Sequence, residues 1–308
     1  MADSSSTEPR FPFPQGPFGG EPREFAQRRA ECPFGKVTLR SGHEAILALG
    51  YADIAAAVAH PRMIRSTLAD PEAPRYAYMS TVFISESQRT AAIAVFAAYA
   101  RELVAAERAA PGDGVLSHLV TAHGVEQQLS EEELLYIMLG VIATGTDTVT
   151  NALGRIMVNL MRDDRAQWKQ VVAGAEVSPQ VLEELLRLMQ QGNGAMLRMA
   201  EEDVELPSGT IRAGETVVLP LSPAGLDPAV YPDPYALRFD RESPPRALVF
   251  GGGAHYCVGV HLGKAELQIA VQTLVERFPE VRPAVAPEKL RFSRGDLLST
   301  LKAFPVLW

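Results

Sequence analysis

Cysteine is almost absent: Cys32 and Cys257 are the only two in 308 residues. Two cysteines cannot form a disulfide framework, and a chain so poor in them suits a reducing cytoplasm. Cys32, in Glu-Cys-Pro-Phe, reads as structural or incidental. No unbroken apolar run approaches membrane-span length, so no membrane association is expected. Met1–Gly16 is rich in Ser and Pro and lacks a basic start followed by an apolar stretch, so it does not read as a signal peptide. Basic excess is missing as well. Against 37 Asp and Glu stand 29 Lys and Arg, a net charge of −8. No basic block is present to neutralise phosphates, which argues against nucleic-acid binding. There is no internal repeat. What is present is globular: the chain is 47% hydrophobic and 21% charged, and long enough for one large core or two small ones.

The pattern along the chain predicts a mainly α fold with a small β component. Residues 1–20 read as a flexible Pro/Gly-rich lead-in, and 21–308 as a single domain, since no linker marks a second one. A strand pair is expected at Lys36–Leu39 and Ala45–Leu49, around the Ser41-Gly42-His43 turn. A helix follows from Tyr51 to Ala59, ended by Pro61. Residues 64–87 are turn-rich and read as loop. Gln88–Glu107 is alanine-rich and helical. Ser130-Glu-Glu-Glu133 is a capping box that launches Leu134–Met161, a helix of about 40 Å. Ser178-Pro179 starts a further helix, which Gly192 is expected to stop. Glu202–Leu221 alternates as small strands do. Lys264–Phe278 returns to helical periodicity, with Leu267, Val271, Leu274, Val275 and Phe278 as its apolar stripe.

Four patterns could carry chemistry. The first is Phe250-Gly-Gly-Gly-Ala-His255-Tyr-Cys257-Val-Gly259, a glycine-rich loop at the mouth of a helix. Glycine has no Cβ and tolerates positive φ, so Gly251, Gly253 and Gly259 would let a flat ligand approach the backbone. A helix N-terminus favours thiolate over thiol, and a thiolate is a good axial ligand for heme iron. The plain alternative is a buried cysteine beside a turn. The second is Ala143-Thr-Gly145-Thr-Asp147-Thr148, where an acid stands beside an alcohol able to move protons through hydrogen bonds and water. The alternative there is a solvated Asp and a Thr bonded to its own helix. The third, Glu184-Leu-Leu-Arg187, sets opposite charges three apart on one helix face; alone it reads as a surface ion pair. The fourth is Arg198, whose fork geometry suits a carboxylate and which could equally be an exposed strand arginine.

With these residues the chain resembles the cytochrome P450 superfamily, in its soluble bacterial form. The resemblance covers nearly everything from about Phe11 to Trp308. It implies a P450-like heme domain and heme b (iron protoporphyrin IX) as cofactor. Cys257 would be the proximal iron ligand, His255 would lie near a heme propionate, and Phe250 would pack against porphyrin and sulfur. By the same resemblance Arg198 holds a propionate, and Asp147 and Thr148 deliver protons during oxygen activation. Thr144 stands where a smaller residue is commoner. Glu184 and Arg187 would form a buried structural pair serving folding and heme retention. Pocket walls, by family position, would be Val141, Ile142, Asn193, Met196, Leu297 and Leu298. Such mainly apolar side chains suit a small-molecule site and equally any core.

The chain departs from that family in two places. It is markedly short, and the deficit concentrates between about Ser87 and Gln88, where several helices are missing. One of these normally supplies a further basic residue to a propionate, and they form part of the redox-partner surface. Their loss would expose apolar surface to be covered by rearrangement, a dimer or a protein partner. The second departure is Ala224-Gly-Leu226-Asp227-Pro228, where Asn-Arg usually precedes Asp-Pro. The resemblance implies a cytoplasmic heme-thiolate monooxygenase for a small hydrophobic metabolite of bacterial secondary metabolism, with electrons from a ferredoxin or similar donor. Cyclisation or rearrangement without external electrons is a variant. The alternative is a heme-free auxiliary protein that binds and activates a partner such as a glycosyltransferase, and the retained cysteine signature argues against it.

Overall fold

The computed structural model describes residues 9–17, 20–39, 42–65, 86–124, 129–189, 195–293 and 299–308. It divides into two compact units, Met1–Val82 with Asn151–Trp308, and Phe83–Thr150.

The larger unit is built on a six-stranded sheet. Its strands are β1 (Arg10–Phe11), β2 (Phe34–Leu39), β3 (Glu44–Ala48), β4 (Met63–Ile64), β5 (Met196–Ala200) and β8 (Thr216–Leu219). The order across the sheet is β1-β2-β3-β8-β5-β4. β2 and β3 pair antiparallel, and β3 runs parallel to β8. Period-two alternation divides the strand side chains between two cores. On one face Leu47, Val218 and Leu197 pack with Phe11, Phe13 and Phe25. On the other face Ala48, Val217, Leu219 and Ala200 pack with Ile54, Ala57 and Val58 of α2 (Tyr51–Ala59) and with Leu221 and Leu248. A small antiparallel pair, β6 (Val204–Leu206) and β7 (Gly209–Ile211), joins that second core.

The helices of this unit include α1 (Arg23–Glu31), α6 (Arg162–Gly174), α7 (Pro179–Arg187) and α8 (Val260–Arg277). A terminal pair, β9 (Arg282–Pro283) with β10 (Val306–Leu307), completes it. The second unit holds α3 (Glu86–Ala109), α4 (Val115–Gly124) and the first part of α5 (Glu131–Leu160). Ala100, Val104, Leu134 and Met138 form its core. No helix among the described residues is long and apolar enough to cross a membrane.

Most of the expected elements are present. The α2 helix has the bounds read from the sequence, and the capping box forms. Ser130 N–H donates to Glu133 Oε2 at 2.8 Å while Glu133 N–H donates to Ser130 Oγ at 3.2 Å. Four expectations are corrected. Arg10–Phe11 of the N-terminal segment form a strand, and Phe11 and Phe13 are buried, because two aromatic rings find a pocket against Phe25. The helix begun at Pro179 ends at Arg187 and not at Gly192, with the Leu188 amide turning back to Glu184 O. The last long helix starts at Val260, ahead of Lys264. Within 64–87, read as loop, Ile64 belongs to β4 and Glu86 opens α3, while 66–85 lie outside the described residues.

Candidate functional site

The Phe250–Gly259 loop lies wholly in the larger unit. It leaves a short 3₁₀ turn at Leu248–Phe250, makes another at Gly253–His255, and enters α8 at Val260. Its glycines have different jobs. Gly251 has φ +71°, and a Cβ there would meet Met196 Sδ at 3.7 Å. Gly253 has φ +61°, and a Cβ would lie 2.6 Å from Val58 O, so only glycine lets the loop sit on the end of α2. Gly252 is similarly pressed against the Val58 side chain at 2.8 Å. A Cβ on Gly259 would meet nothing within 4 Å, which leaves open space beside the α8 N-terminus.

Backbone hydrogen bonds fix the cysteine within this loop. Cys257 N–H donates to Phe250 O at 3.0 Å, and Cys257 O accepts from Val260 N–H at 3.3 Å. Cys257 is a free, exposed thiol two residues before Gly259, the N-cap of α8. Here the loop departs from the reading of a buried cysteine beside a turn. Phe250 is half-buried, with the Lys264 ammonium 5.7 Å from its ring centre. Arg246 donates to Gly251 O at 2.9 Å and stands over the Tyr256 ring. The two contacts brace the loop from the chain that precedes it.

Arg198 is buried on β5, on the sheet face that carries α2 and the loop. Its guanidinium donates to Leu197 O at 3.0 Å and approaches Met196 Sδ at 3.8 Å. His255 is half-buried, and its pKa is lowered by burial and by the charges of Arg198 and Arg65. Arg198 and Arg65 therefore both lie close enough to His255 for their charges to act on it. Arg65 was not singled out from the sequence. It follows β4, and only the strand pairing brings it here.

Glu184 and Arg187 are both buried on α7 and form a bidentate pair, with two contacts of 2.7 Å. The pair is the centre of a larger network. Arg187 also donates to Gly225 O, Pro234 O and Ala236 O at 2.6 to 2.9 Å. Arg241 donates to Glu184 Oε1 at 3.0 Å, to Pro232 O at 2.7 Å and to Asp233 O at 3.1 Å. Arg241 is a buried member that the sequence spacing could not reveal. The Ala224-Gly-Leu226 departure finds its physical reason in this network. A Cβ on Gly225 would lie 2.6 Å from Arg187 O, and Leu226 is buried. Asp227 Oδ2 accepts the Tyr51 amide at 2.7 Å, joining this turn to the start of α2.

The Gly145, Asp147 and Thr148 motif lies in α5 within the second unit. Asp147 and Thr148 are exposed. Four threonines bond back to their own helix, with Thr148 Oγ1 donating to Thr144 O at 2.5 Å and Thr144 Oγ1 to Gly140 O at 2.7 Å. Val141 is exposed, while Ile142 is half-buried against the core of that unit. Met196 is half-buried beside Gly251. Asn193, Leu297 and Leu298 lie outside the described residues.

Comparison with known proteins points one way. The family model described as Cytochrome P450 matches residues 175–302. The chain is 34% identical over 268 residues to nocardicin C N-oxygenase of Nocardia uniformis subsp. tsuyamanensis, covering 83% of this chain and 67% of that protein. It is 32% identical over 300 residues to the cytochrome P450 monooxygenase PikC of Streptomyces venezuelae, covering 93% and 71%. Among solved structures, the LnmA cytochrome P450 hydroxylase of Streptomyces atroolivaceus superposes with a TM-score of 0.84 at 28% identity. That match spans 97% of this chain and 100% of that one. The chain spans only 50% to 71% of the length of the curated relatives it matches.

Proposed function

Because the chain belongs to the cytochrome P450 family, we propose that it is a heme-thiolate monooxygenase acting on a small apolar metabolite of bacterial secondary metabolism. The observation that carries this reading is the Cys257 loop, whose thiol is exposed before α8 with open space at Gly259. The relatives support the reaction class, since their names are those of an N-oxygenase, a hydroxylase/epoxidase and a monooxygenase. The residues present fit heme b. One sulfur faces open space, and the basic side chains of His255 and Arg198 stand on the loop's edge, as a group bearing carboxylates requires.

When bound, heme supplies the one-electron and dioxygen chemistry that protein side chains lack. In this proposal the chain does the rest. Cys257 holds the iron as thiolate, favoured by the N-terminus of α8. Phe250 and the loop glycines shape the side from which the ligand approaches. His255 and Arg198 bind propionates. Asp147 and Thr148 pass protons; Thr148 Oγ1 gives its own proton to Thr144 O and keeps its lone pairs to accept another. By the family resemblance, the residues expected to face the substrate are Val141, Ile142, Asn193, Met196, Leu297 and Leu298. Electrons come from a ferredoxin or similar donor. The segment 21–308 acts as one heme domain in this reading.

The test is heme uptake by the full chain and its Cys257→Ala variant. Wild type is expected to give the absorption of a thiolate-ligated heme. The variant is expected to lose that spectrum with its far-ultraviolet circular dichroism unchanged. An identical spectrum from both proteins would remove Cys257 from the iron.

A further inference from the structure

β4 and β5 pair antiparallel, with Met63 opposite Ala200 and Ile64 opposite Met199. Arg65 follows Ile64 at the end of β4, and Arg198 precedes Met199 on β5, so the two lie at the same end of this pairing. The alternation of side chains gives the same answer. Met63 and Ala200 both belong to the core on the α2 face of the sheet, so Arg65 and Arg198, two residues along each strand, share that face.

The Cys257 loop sits at the same place. Gly252 and Gly253 press on Val58 and Ala59, at the end of the α2 helix that leads into β4, and Gly251 lies beside Met196 at the start of β5. Arg65 is exposed and makes no ion pair with any described residue. Its neighbour Arg62 differs, reaching Glu201 at 3.4 Å and Glu202 at 3.9 Å.

We infer that Arg65 is a propionate-binding residue of this chain, completing with Arg198 and His255 a clamp of hydrogen-bond donors for the heme carboxylates. The inference rests on the heme reading of the Cys257 loop. It names the residue that takes over from the basic group expected on the helices missing near Ser87. The chemistry is that of guanidinium and carboxylate: Arg65 supplies an exposed contact, and Arg198 a buried one.

The test measures heme loss from the full-length holoprotein to apomyoglobin, after reconstitution with heme b or with its dimethyl ester. The ester keeps the iron and the ring but carries no propionate charge. Arg65→Ala is expected to release heme b roughly three- to tenfold faster than wild type and to release the ester at the wild-type rate. Arg65→Lys should stay within about twofold of wild type for heme b, the charge being kept. Arg62→Ala, which removes a neighbouring arginine already paired with acids, should behave as wild type. Equal release rates of heme b from wild type and Arg65→Ala, or equal acceleration with both hemes, would overturn the clamp while leaving the heme reading intact. Wild-type protein that takes up no heme would overturn both.

Discussion

At the scale of single residues, the site was legible wherever its chemistry is local in sequence. Phe250 to Gly259 is one short loop, so its glycines, imidazole and thiol could be read together. The structure adds the reason for two of the glycines: Gly252 and Gly253 yield to the Val58 and Ala59 backbone and side chain. Arg65 and Arg241 escaped notice because their partners lie far along the chain. Strand pairing places the first at the same end as Arg198, and a folded-back turn brings the second to Glu184. Thr148 carries the sharpest consequence at this scale. Thr148→Ala is expected to leave heme uptake unchanged while lowering product formed per electron consumed, by about 10- to 100-fold if the hydroxyl serves proton transfer. Oxygen-consumption and product assays read the ratio directly. Unchanged coupling would leave Thr148 as a hydroxyl that only bonds back to Thr144.

At the scale of elements, the sequence announced helices by their caps and strands by alternation. The Ser130–Glu133 box forms as written, and the Ser130 amide and hydroxyl hold the Glu133 carboxyl below its ordinary range. The box's contribution is therefore complete above the free carboxylate range and fades as pH falls through the lowered value. α1, α4 and α6 were not foreseen. Arg162–Gly174 enters its helix through three residues with positive φ, Asp163, Asp164 and Arg165, and no cap marks it. Its place is set by Trp168, which is buried and donates to Pro279 O at 2.7 Å. The element that most depends on its polar side chains is α7. Glu184, Arg187 and Arg241 tie it to the 225–241 segment while buried. Glu184→Gln leaves two buried guanidiniums, Arg187 and Arg241, without their shared carboxylate and should lower unfolding free energy by about 3–5 kcal/mol; Arg187→Ala, which leaves the Glu184–Arg241 pair, should cost less. Chemical denaturation of the two variants checks this. A loss under about 1 kcal/mol would place the network at the level of an ordinary surface pair.

At the scale of the whole molecule, family membership and fold agree while length does not. A TM-score of 0.84 to a P450 hydroxylase coexists with coverage of as little as half of some curated relatives. The division into two compact units, with the second beginning at Phe83, adjoins the point near Ser87 where the sequence reading placed the deficit. In that second unit α5 exposes the apolar side chains of Tyr136, Ile137 and Val141. Composition could not report this. An overall hydrophobic content of 47% is the same whether a helix face is buried or bare. The larger unit itself holds the glycine loop with Cys257, His255, Arg198 and the buried Glu184 network.

The central claim is that this retained set still makes a heme-thiolate centre. The most direct test is the absorption spectrum of the full chain, purified with heme supplied, reduced and exposed to carbon monoxide. The account predicts a Soret band displaced far to the red of that given by an imidazole-ligated ferrous heme, as a thiolate ligand requires. A folded protein that takes up no heme, or one whose Soret band stays at the imidazole position, would contradict it.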